Sequence, residues 1–444
     1  MIEGAWFTHD SQDPELVLYG FRSKDFVIWN ETRREEVATV ECGGAHRTFR
    51  LWSSASDPGR YHFAFTRTSK LSVYSQARTP HCTLRNGTHG REIRALSSRG
   101  RYLASGAEDT SIRIWEYCES SQPGQREMRC LASIKSHVTG IQRLQFLDDE
   151  YLFSSAGNEE FFAWRIRVLD SAYRGLAIMC EGVFSDKSPV GDLRIMDFDV
   201  CRCDSGDGML VTLAFSNSAV KTYRYWPGGR FEPYAQGFYT GACLTQARHL
   251  GVCGGNGWIM TASTDGHLAL WRDAADAGGS STRTYALAEA AQVHQSSIKS
   301  LDMVRRGDDA FTVVTGGDDN ALGLATVLRK DGENGLTIGG RGIVRRAHAA
   351  AINGVVLAPV AATGDEDGIT AVSVSNDQRV RAWRISAAGD DERRVELVGS
   401  VFSGVADPGD VACVSISRGS SSERQRRVVL GGVGVEVWNL EAMN

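Results

Sequence analysis

A phrase that recurs along the chain constrains its fold more than any other feature. Each copy holds a β-rich run, a small polar residue, an acidic turn, and alternating apolar residues that end on an aromatic residue. Clear copies are LASGAEDTSIRIW, MTASTDGHLALW and SVSNDQRVRAW, which end at Trp115, Trp271 and Trp383. With weaker copies included, the ends of successive copies lie 41–59 residues apart along the whole chain. A sustained period of this length is typical of repeat architectures, not of a single irregular domain.

Polar residues occupy fixed positions inside each copy. Ser105 and Asp109 lie ten and six residues before Trp115, and His89 opens the unit. The same arrangement recurs at His348, Ser373, Asp377 and Trp383, in part at Thr261, Asp265 and Trp271, and at Thr315 and Asp319 before Ala325. These spacings are those of a four-stranded WD-repeat blade, so the fold class is predicted to be an all-β WD-repeat β-propeller.

Each His-Ser/Thr-Asp-Trp set is predicted to be a structural tetrad. The turn Asp orients the His, the His bonds the Ser or Thr hydroxyl, and the hydroxyl accepts the indole N–H, so every buried polar group has a partner. A Ser, a His and an Asp in one network also resemble an acyl-transfer triad. Because the set recurs at blade spacing and an active site is built once or twice, the structural interpretation is favoured and no catalytic residue is predicted.

The spacing also predicts how the ring closes. Seven three-strand sets end at residues 115, 164, 223, 271, 325, 383 and 438, and the sequence stops just after the last of them. The segment HCTLRNG, around residues 81–85, is predicted to complete the last blade and leave no open edge. Residues 80–444 then form a seven-bladed propeller, and residues 1–79 are two units left from an upstream propeller. The alternative is a single ring of eight or nine blades.

Composition limits the partners and the compartment. The net charge is −5, whereas a protein that binds nucleic acid alone usually has a basic excess. No apolar run is long enough to span a bilayer, the start MIEGAWFTHD is not a secretory signal, and the 10 cysteines form no C-x-x-C pair. We expect a cytoplasmic protein with reduced thiols and with neither membrane nor DNA as a partner.

Several phrases go beyond the general repeat. They are GFRSKDFVIWN, CGGAHR, THGREIRAL, ASGAEDTSIRIWEY, HVTGIQRLQF, TASTDGHLALW, TGGDDNALG, AHAAAINGV and VSNDQRVRAW. Together they resemble the C-terminal half of the WD-repeat adaptors that partner the tRNA ribose 2′-O-methyltransferase of the anticodon wobble nucleotide. The resemblance implies a scaffold that binds an S-adenosylmethionine-dependent methyltransferase and helps present tRNA, which it contacts weakly or through the complex.

The chain itself shows no methyltransferase chemistry. It lacks a strand–GxGxxG–helix unit, and the Gly-rich GGVGVEVW leads into a strand, so no cofactor and no metal are predicted. Five arginines outside the repeat pattern are predicted partner or RNA contacts, with solvated loops as the alternative. They are Arg47, Arg91, Arg341, Arg345 and Arg346.

Two other function classes remain open from the sequence. One is a general WD-repeat scaffold, such as a ubiquitin-ligase substrate receptor or a trafficking adaptor, because the fold alone does not select a function. The other is a hydrolase built on a propeller. It is disfavoured because most of the 10 histidines already lie within repeat phrases.

Overall fold

The computed structural model describes residues 1–7, 14–32, 35–54, 57–75, 88–117, 128–169, 175–189, 191–203, 208–251, 257–274, 282–307, 310–330, 335–359, 369–388, 392–417 and 424–440. These residues form β-sheets whose strands pair antiparallel within each blade. In the second strand of most blades nearly every side chain is buried, because neighbouring blades cover both faces. No helix in these ranges is long and apolar enough to cross a membrane.

Two sheets precede the ring and share a core of their own. The strands are β1 (Ile2–Phe7), β2 (Leu16–Arg22), β3 (Asp25–Asn30), β4 (Glu35–Glu41), β5 (Phe49–Ser54), β6 (Asp57–Arg67) and β7 (Lys70–Ser75). The first four strands form one sheet and the last three another. Their apolar side chains form one cluster, in which Phe26 stacks on Phe63 at 3.9 Å between ring centroids.

Seven blades follow, here numbered blades 1 to 7. Blade 1 is β8 (Ile93–Arg99), β9 (Tyr102–Ala107), β10 (Ile112–Tyr117) and β11 (Met128–Ile134). Blade 2 is β12 (Ile141–Phe146), β13 (Tyr151–Ala156), β14 (Glu160–Leu169) and β15 (Gly175–Val183). Blade 3 is β16 (Ile195–Arg202), β17 (Met209–Phe215), β18 (Ala219–Trp226) and β19 (Arg230–Phe238). Blade 4 is β20 (Leu244–His249), β21 (Trp258–Ser263), β22 (His267–Ala274) and β23 (Arg283–Gln292).

The remaining blades complete the chain. Blade 5 is β24 (Ile298–Arg306), β25 (Ala310–Gly317), β26 (Leu322–Arg329) and β27 (Leu336–Val344). Blade 6 is β28 (Ile352–Pro359), β29 (Ile369–Ser375), β30 (Arg379–Ala388) and β31 (Glu392–Phe402). Blade 7 is β32 (Ala406–Ser417) and β33 (Arg424–Asn439). Blades 3 and 4 are also joined at their outer edges, where β19 and β23 pair in parallel.

The first strand of each blade lies on the inside, and these seven strands form a closed ring. β8 contacts β12 on one side and β32 on the other, and each of the remaining inner strands contacts the next. Blade 1 and blade 7 share a buried core in which Ile93 and Leu96 pack with Val414 and Val429. The ring is therefore a seven-bladed propeller, and the alternative of eight or nine blades is wrong.

A side-chain-to-backbone hydrogen bond links the inner strands at every junction. At five junctions a side-chain oxygen accepts a backbone N–H from the neighbouring blade. The pairs are Ser97 with Phe146 (2.9 Å), Gln145 with Val200 (3.0 Å), Asp197 with Ala247 (3.0 Å), Asp302 with Leu357 (2.7 Å) and Asp410 with Leu96 (2.8 Å). Gln246 and Asn353 donate to the carbonyls of Lys299 and Pro408 at 3.0 and 2.7 Å. Since each bond joins two blades, the ring is held at all seven junctions.

The strand predicted around residues 81–85 lies outside the described residues, as does the boundary between residues 79 and 80. Both the closing strand and the division of the chain at this point therefore stay predictions.

Candidate functional site

Blade 1 assembles the predicted residues into one hydrogen-bonded chain. The Nδ1 atom of His89 lies 3.2 Å from Asp109, and its Nε2 atom lies 2.8 Å from the hydroxyl oxygen of Ser105. The same hydroxyl oxygen accepts the indole N–H of Trp115 at 2.8 Å. Asp109 also accepts the backbone N–H of Gly90 at 2.7 Å, so the turn is fixed to the loop that carries the histidine.

Blade 6 repeats this geometry. His348 lies 3.1 Å from Asp377 and 2.8 Å from Ser373, and Ser373 accepts the indole N–H of Trp383 at 2.8 Å. In blade 5, His294 bonds Asp319 and Thr315 at 2.8 Å each. The hydrogen-bonded network ends at the Thr315 hydroxyl, because Ala325 stands in place of the tryptophan.

In two blades another residue type takes the place of one tetrad member, and the fixed spacing does not predict it. In blade 2 the carboxylate is Glu160, 3.0 Å from His137, at a position four residues before Trp164 instead of six. In blade 4, Thr261 accepts the indole N–H of Trp271 at 2.9 Å, and Tyr239 replaces the histidine by donating to Asp265 at 3.3 Å. In blade 2 a signal was present, since Ser154 keeps the ten-residue offset from Trp164.

Burial and hydrogen bonding set the charge of these groups. Burial lowers the pKa of His89 and of His348, so both rings are neutral at neutral pH. Burial acts to raise the pKa of Asp109, but hydrogen bonds from His89 and Ser111 outweigh it and hold that pKa below its usual value. The networks therefore consist of an ionised carboxylate and a neutral imidazole.

The hydroxyls in these networks are not accessible to a substrate. Ser105 and Ser373 are 0 % exposed, and each already contacts both a histidine and a tryptophan. A nucleophile must reach its substrate, so this arrangement suits a framework that pins each blade and does not suit acyl transfer. Within the described ranges, no group of three or more His, Cys, Asp or Glu side chains could hold a metal ion.

A buried ion cluster connects the inner strands of adjacent blades. The Asp197 carboxylate is 0 % exposed and contacts Arg143 from blade 2 at 3.1 Å and Arg248 from blade 4 at 2.5 Å. Arg248 also donates to the carbonyl of Leu301 in blade 5 at 2.9 Å. Charges buried in this way need such partners, and the cluster therefore fixes four neighbouring blades relative to one another.

The five predicted contact arginines do not form one surface. Arg47 lies among the first two sheets, close to Gly43, and its Nε atom is buried without a hydrogen-bond partner. Arg91 is exposed before β8, with Glu92 at 3.8 Å. Only Arg341, Arg345 and Arg346 are close in sequence, the first within β27 and the other two in the loop that follows it.

The loop after β27 carries two of these arginines and is anchored just beyond them. The guanidinium of Arg381 donates to the carbonyl of Ala347, and the N–H of His348 donates to the carbonyl of Asn320 at 3.1 Å. Arg346 has a φ of 56°, a left-handed conformation that a non-glycine residue keeps only when its surroundings impose it. Arg345 and Arg346 are both exposed on this fixed loop.

Comparison with known proteins agrees with the fold. A family model described as "WD domain, G-beta repeat" matches residues 79–116, which include the blade 1 tetrad. The tRNA (34-2'-O)-methyltransferase regulator WDR6 of Mus musculus is 23% identical over 532 residues, covering 96% of this chain and 44% of the relative. The protein of the same name from Homo sapiens is 24% identical over 523 residues, with the same two coverages.

The chain is therefore similar to these regulators, and the matched repeat agrees with the propeller described above. The resemblance predicted from the phrases above is thereby confirmed, and it extends over nearly the whole sequence. The chain spans less than half the length of the curated relatives it matches. Among solved structures, a computationally designed protein, Ika8, superposes with a TM-score of 0.43 at 16% identity, covering 79% of this chain and 97% of that one.

Proposed function

We propose that the chain is the non-catalytic scaffold of a tRNA 2′-O-methyltransferase, and that it helps present tRNA for ribose methylation of the wobble nucleotide. The observation that carries the proposal is the similarity to the named regulators along 96% of the chain. The closed ring supports it, because a platform fixed at every junction can hold an enzyme and its substrate in one orientation. Orientation alone contributes a large part of many rate enhancements.

The chemistry is proposed to belong to the partner, an S-adenosylmethionine-dependent enzyme. In this chain the Gly-rich segment from Gly431 to Gly434 lies inside strand β33, not between a strand and a helix N-terminus. It therefore lacks the arrangement that binds the anionic groups of a nucleotide cofactor. We propose that residues 1–79 and 80–444 are separate units of this scaffold, and that the scaffold acts in the cytoplasm.

The tRNA is proposed to contact Arg345 and Arg346. The net charge of −5 leaves local clusters as the source of phosphate affinity. Such contacts weaken as the salt concentration rises, because the release of counterions from the phosphates is then less favourable. Among the five predicted arginines, these two lie on one exposed loop, with Arg341 within the preceding strand. Arg341 instead donates to the carbonyl of Gln292 at 3.2 Å, across the seam to blade 4.

The proposal is tested by reversing charge in the reconstituted complex. Arg345→Glu with Arg346→Glu should weaken tRNA binding, while the two protein subunits still co-elute. The tRNA affinity of this variant should also depend less steeply on salt concentration than that of the wild type. Arg167→Glu with Arg272→Glu is the matched control, since both residues are exposed on other blades and the change of charge is equal. Equal effects of the two pairs on tRNA binding would contradict the assigned contact. Failure of the methyltransferase to co-elute with the wild-type chain would overturn the scaffold role.

A further inference from the structure

An aromatic side chain lies exposed beside the basic loop, in the seam between blades 5 and 6. Phe402 is the last residue of β31, and 60% of its surface is exposed. Its direct partner across the strand pair is Arg379, the first residue of β30, which is exposed as well. Directly paired residues on antiparallel strands project from the same face of the sheet, so Phe402 and Arg379 share one face.

The contacts of blade 6 show which face this is. Arg381 lies two residues after Arg379, on the same face of β30, and it donates to the carbonyl of Ala347 in the loop from blade 5. Val401, the neighbour of Phe402, packs on the opposite face with Val405 and Val411 of the blade 7 side. Phe402 and Arg379 therefore face blade 5, beside the loop of Arg345 and Arg346.

This seam carries uncompensated positive charge. Among the described residues, none of Arg345, Arg346 and Arg379 has a carboxylate within 4.0 Å. The carboxylate of the adjoining turn, Asp377, already accepts bonds from His348 and from the backbone N–H groups of Ala349 and Arg379 at 2.9 and 3.0 Å. The three guanidinium groups are thus free to bind anions.

The loop of Arg345 and Arg346 has an unusual backbone conformation. Most non-glycine residues with positive φ in the ring occupy the same turn of each blade, as Thr110, Asn320 and Gln378 do. Outside those turns, the described non-glycine residues of the ring with this backbone are Arg346 and, at the start of β32, Asp407. The direction of the Arg346 side chain is therefore set by a backbone conformation that the repeat itself does not require.

We propose that this seam binds an unpaired stretch of RNA, with one base stacked on Phe402 and the flanking phosphates on Arg345, Arg346 and Arg379. A cationic groove beside an exposed aromatic ring is the combination that binds single strands, since every base has a face to stack and every linkage has a charge. A duplex keeps its bases stacked inside, so it offers phosphates and 2′-hydroxyls but no free base face. This binding mode rests on the proposed function and specifies that the bound part of the RNA is unpaired.

The matched control lies in blade 3. Phe238 is the last residue of β19, the position equivalent to Phe402, and it is 67% exposed. Its partner across the strand pair is Ala219 instead of an arginine. Phe238→Ala thus removes an equally exposed ring from an equivalent position without a basic neighbour.

The experiment measures binding of a labelled, unstructured ribo-oligonucleotide of about ten nucleotides to the full chain and to its complex with the methyltransferase. Phe402→Ala should weaken binding about tenfold, the scale of one lost base–aromatic stack, whereas Phe402→Tyr and Phe238→Ala should leave it unchanged. Binding of a duplex RNA should not respond to Phe402→Ala. Arg379→Gln should reduce the slope of log affinity against log salt by about 0.7, the contribution of one phosphate on a single strand.

The outcomes separate this inference from the proposed function. If the complex binds tRNA but Phe402→Ala and Phe238→Ala behave alike, the seam is not the site and the scaffold role stands. If Phe402→Ala weakens duplex and single strand equally, there is no stacking. If it releases the methyltransferase instead of the RNA, the seam is a protein interface. If neither chain nor complex binds any RNA, both this inference and the proposed contact with tRNA are wrong.

Discussion

Asp410 accepts the backbone N–H of Leu96 at 2.8 Å, although the two residues are 314 positions apart in the sequence. This bond joins the last inner strand to the first and closes the ring. Burial raises the pKa of Asp410, which opposes ionisation, while Arg143 at 3.8 Å favours the charged form. A single carboxylate thus connects blades 1, 2 and 7.

The first prediction concerns this closing bond. Asp410→Ala leaves the N–H of Leu96 without its acceptor, and we expect a loss of about 1–3 kcal/mol in the free energy of unfolding. Asp410→Asn keeps an acceptor and should recover part of the loss. Asp149→Ala is the control, because that side chain is 80% exposed and its pair with Arg99 is a surface contact. Chemical denaturation measures all three, and equal stability of Asp410→Ala and wild type would contradict the role of this bond.

The second prediction ranks two turn aspartates. Asp109→Ala removes a carboxylate that bonds His89, Gly90 and Ser111, and we expect a loss of roughly 1–3 kcal/mol or more. Asp265→Ala should cost less, because that side chain is 35% exposed against 18% for Asp109 and its bond with Tyr239 is long, at 3.3 Å. Thermal unfolding gives the order, and an unchanged midpoint for Asp109→Ala would count against the tetrad as a structural unit.

The third prediction is a loss of stability in mild acid. Burial lowers the pKa of His89, His137 and His348 from the usual 6.5, so the unfolded chain binds more protons than the folded one as the pH falls below that value. The stabilisation is complete above pH 6.5 and declines below it. Asp109, Asp319 and Asp377 have lowered pKa values as well and extend the decline below pH 3.8.

Unfolding midpoints between pH 7.5 and 5 measure this effect. The midpoint should fall across that range, and His89→Gln should make the fall shallower, since one of the titrating rings is removed. His249 acts in the opposite direction, because its pKa is raised to about 10. The comparison with His89→Gln is therefore decisive: an equally steep fall in this variant and in the wild type would show that the His89 ring is not buried in the neutral form.

The repeat period predicted the blades well because it depends on local alternation and turn chemistry. All seven predicted strand ends, from Trp115 to Trp438, fall within strands of the ring. The tetrads of blades 1 and 6 have their predicted geometry for the same reason. The spacing did not predict Glu160 and Tyr239 as members of the networks, because another acid or another donor can form the same hydrogen bond.

Contacts between blades were less visible in the sequence. The bonds from Asp197, Asp302 and Asp410 depend on which strands become neighbours, and no spacing within one repeat encodes that. A weak signal exists, since polar residues such as Gln145 and Asp302 follow the first isoleucine of an inner strand by four positions. The seam of Phe402 and Arg379 likewise appears only once strand register is known.

The fourth prediction concerns the two parts of the chain. Deleting residues 1–75 should leave the ring folded, because the first two sheets have a core of their own. Deleting residues 81–85 should expose an open strand edge in blade 7 and cause aggregation. Light scattering and the unfolding midpoint distinguish the two variants. A stable short deletion together with an unfolded long one would contradict the predicted closure.

The central claim, that this chain raises methyl transfer by positioning tRNA, is tested by one comparison. Transfer of a labelled methyl group from S-adenosylmethionine to the 2′-oxygen of the wobble ribose is followed with the methyltransferase alone and with the methyltransferase plus this chain. Because the added effect is one of orientation, we expect a faster rate with the chain present and no methyl transfer by the chain alone. If the enzyme alone methylates that position as fast as the mixture does, the claim is wrong.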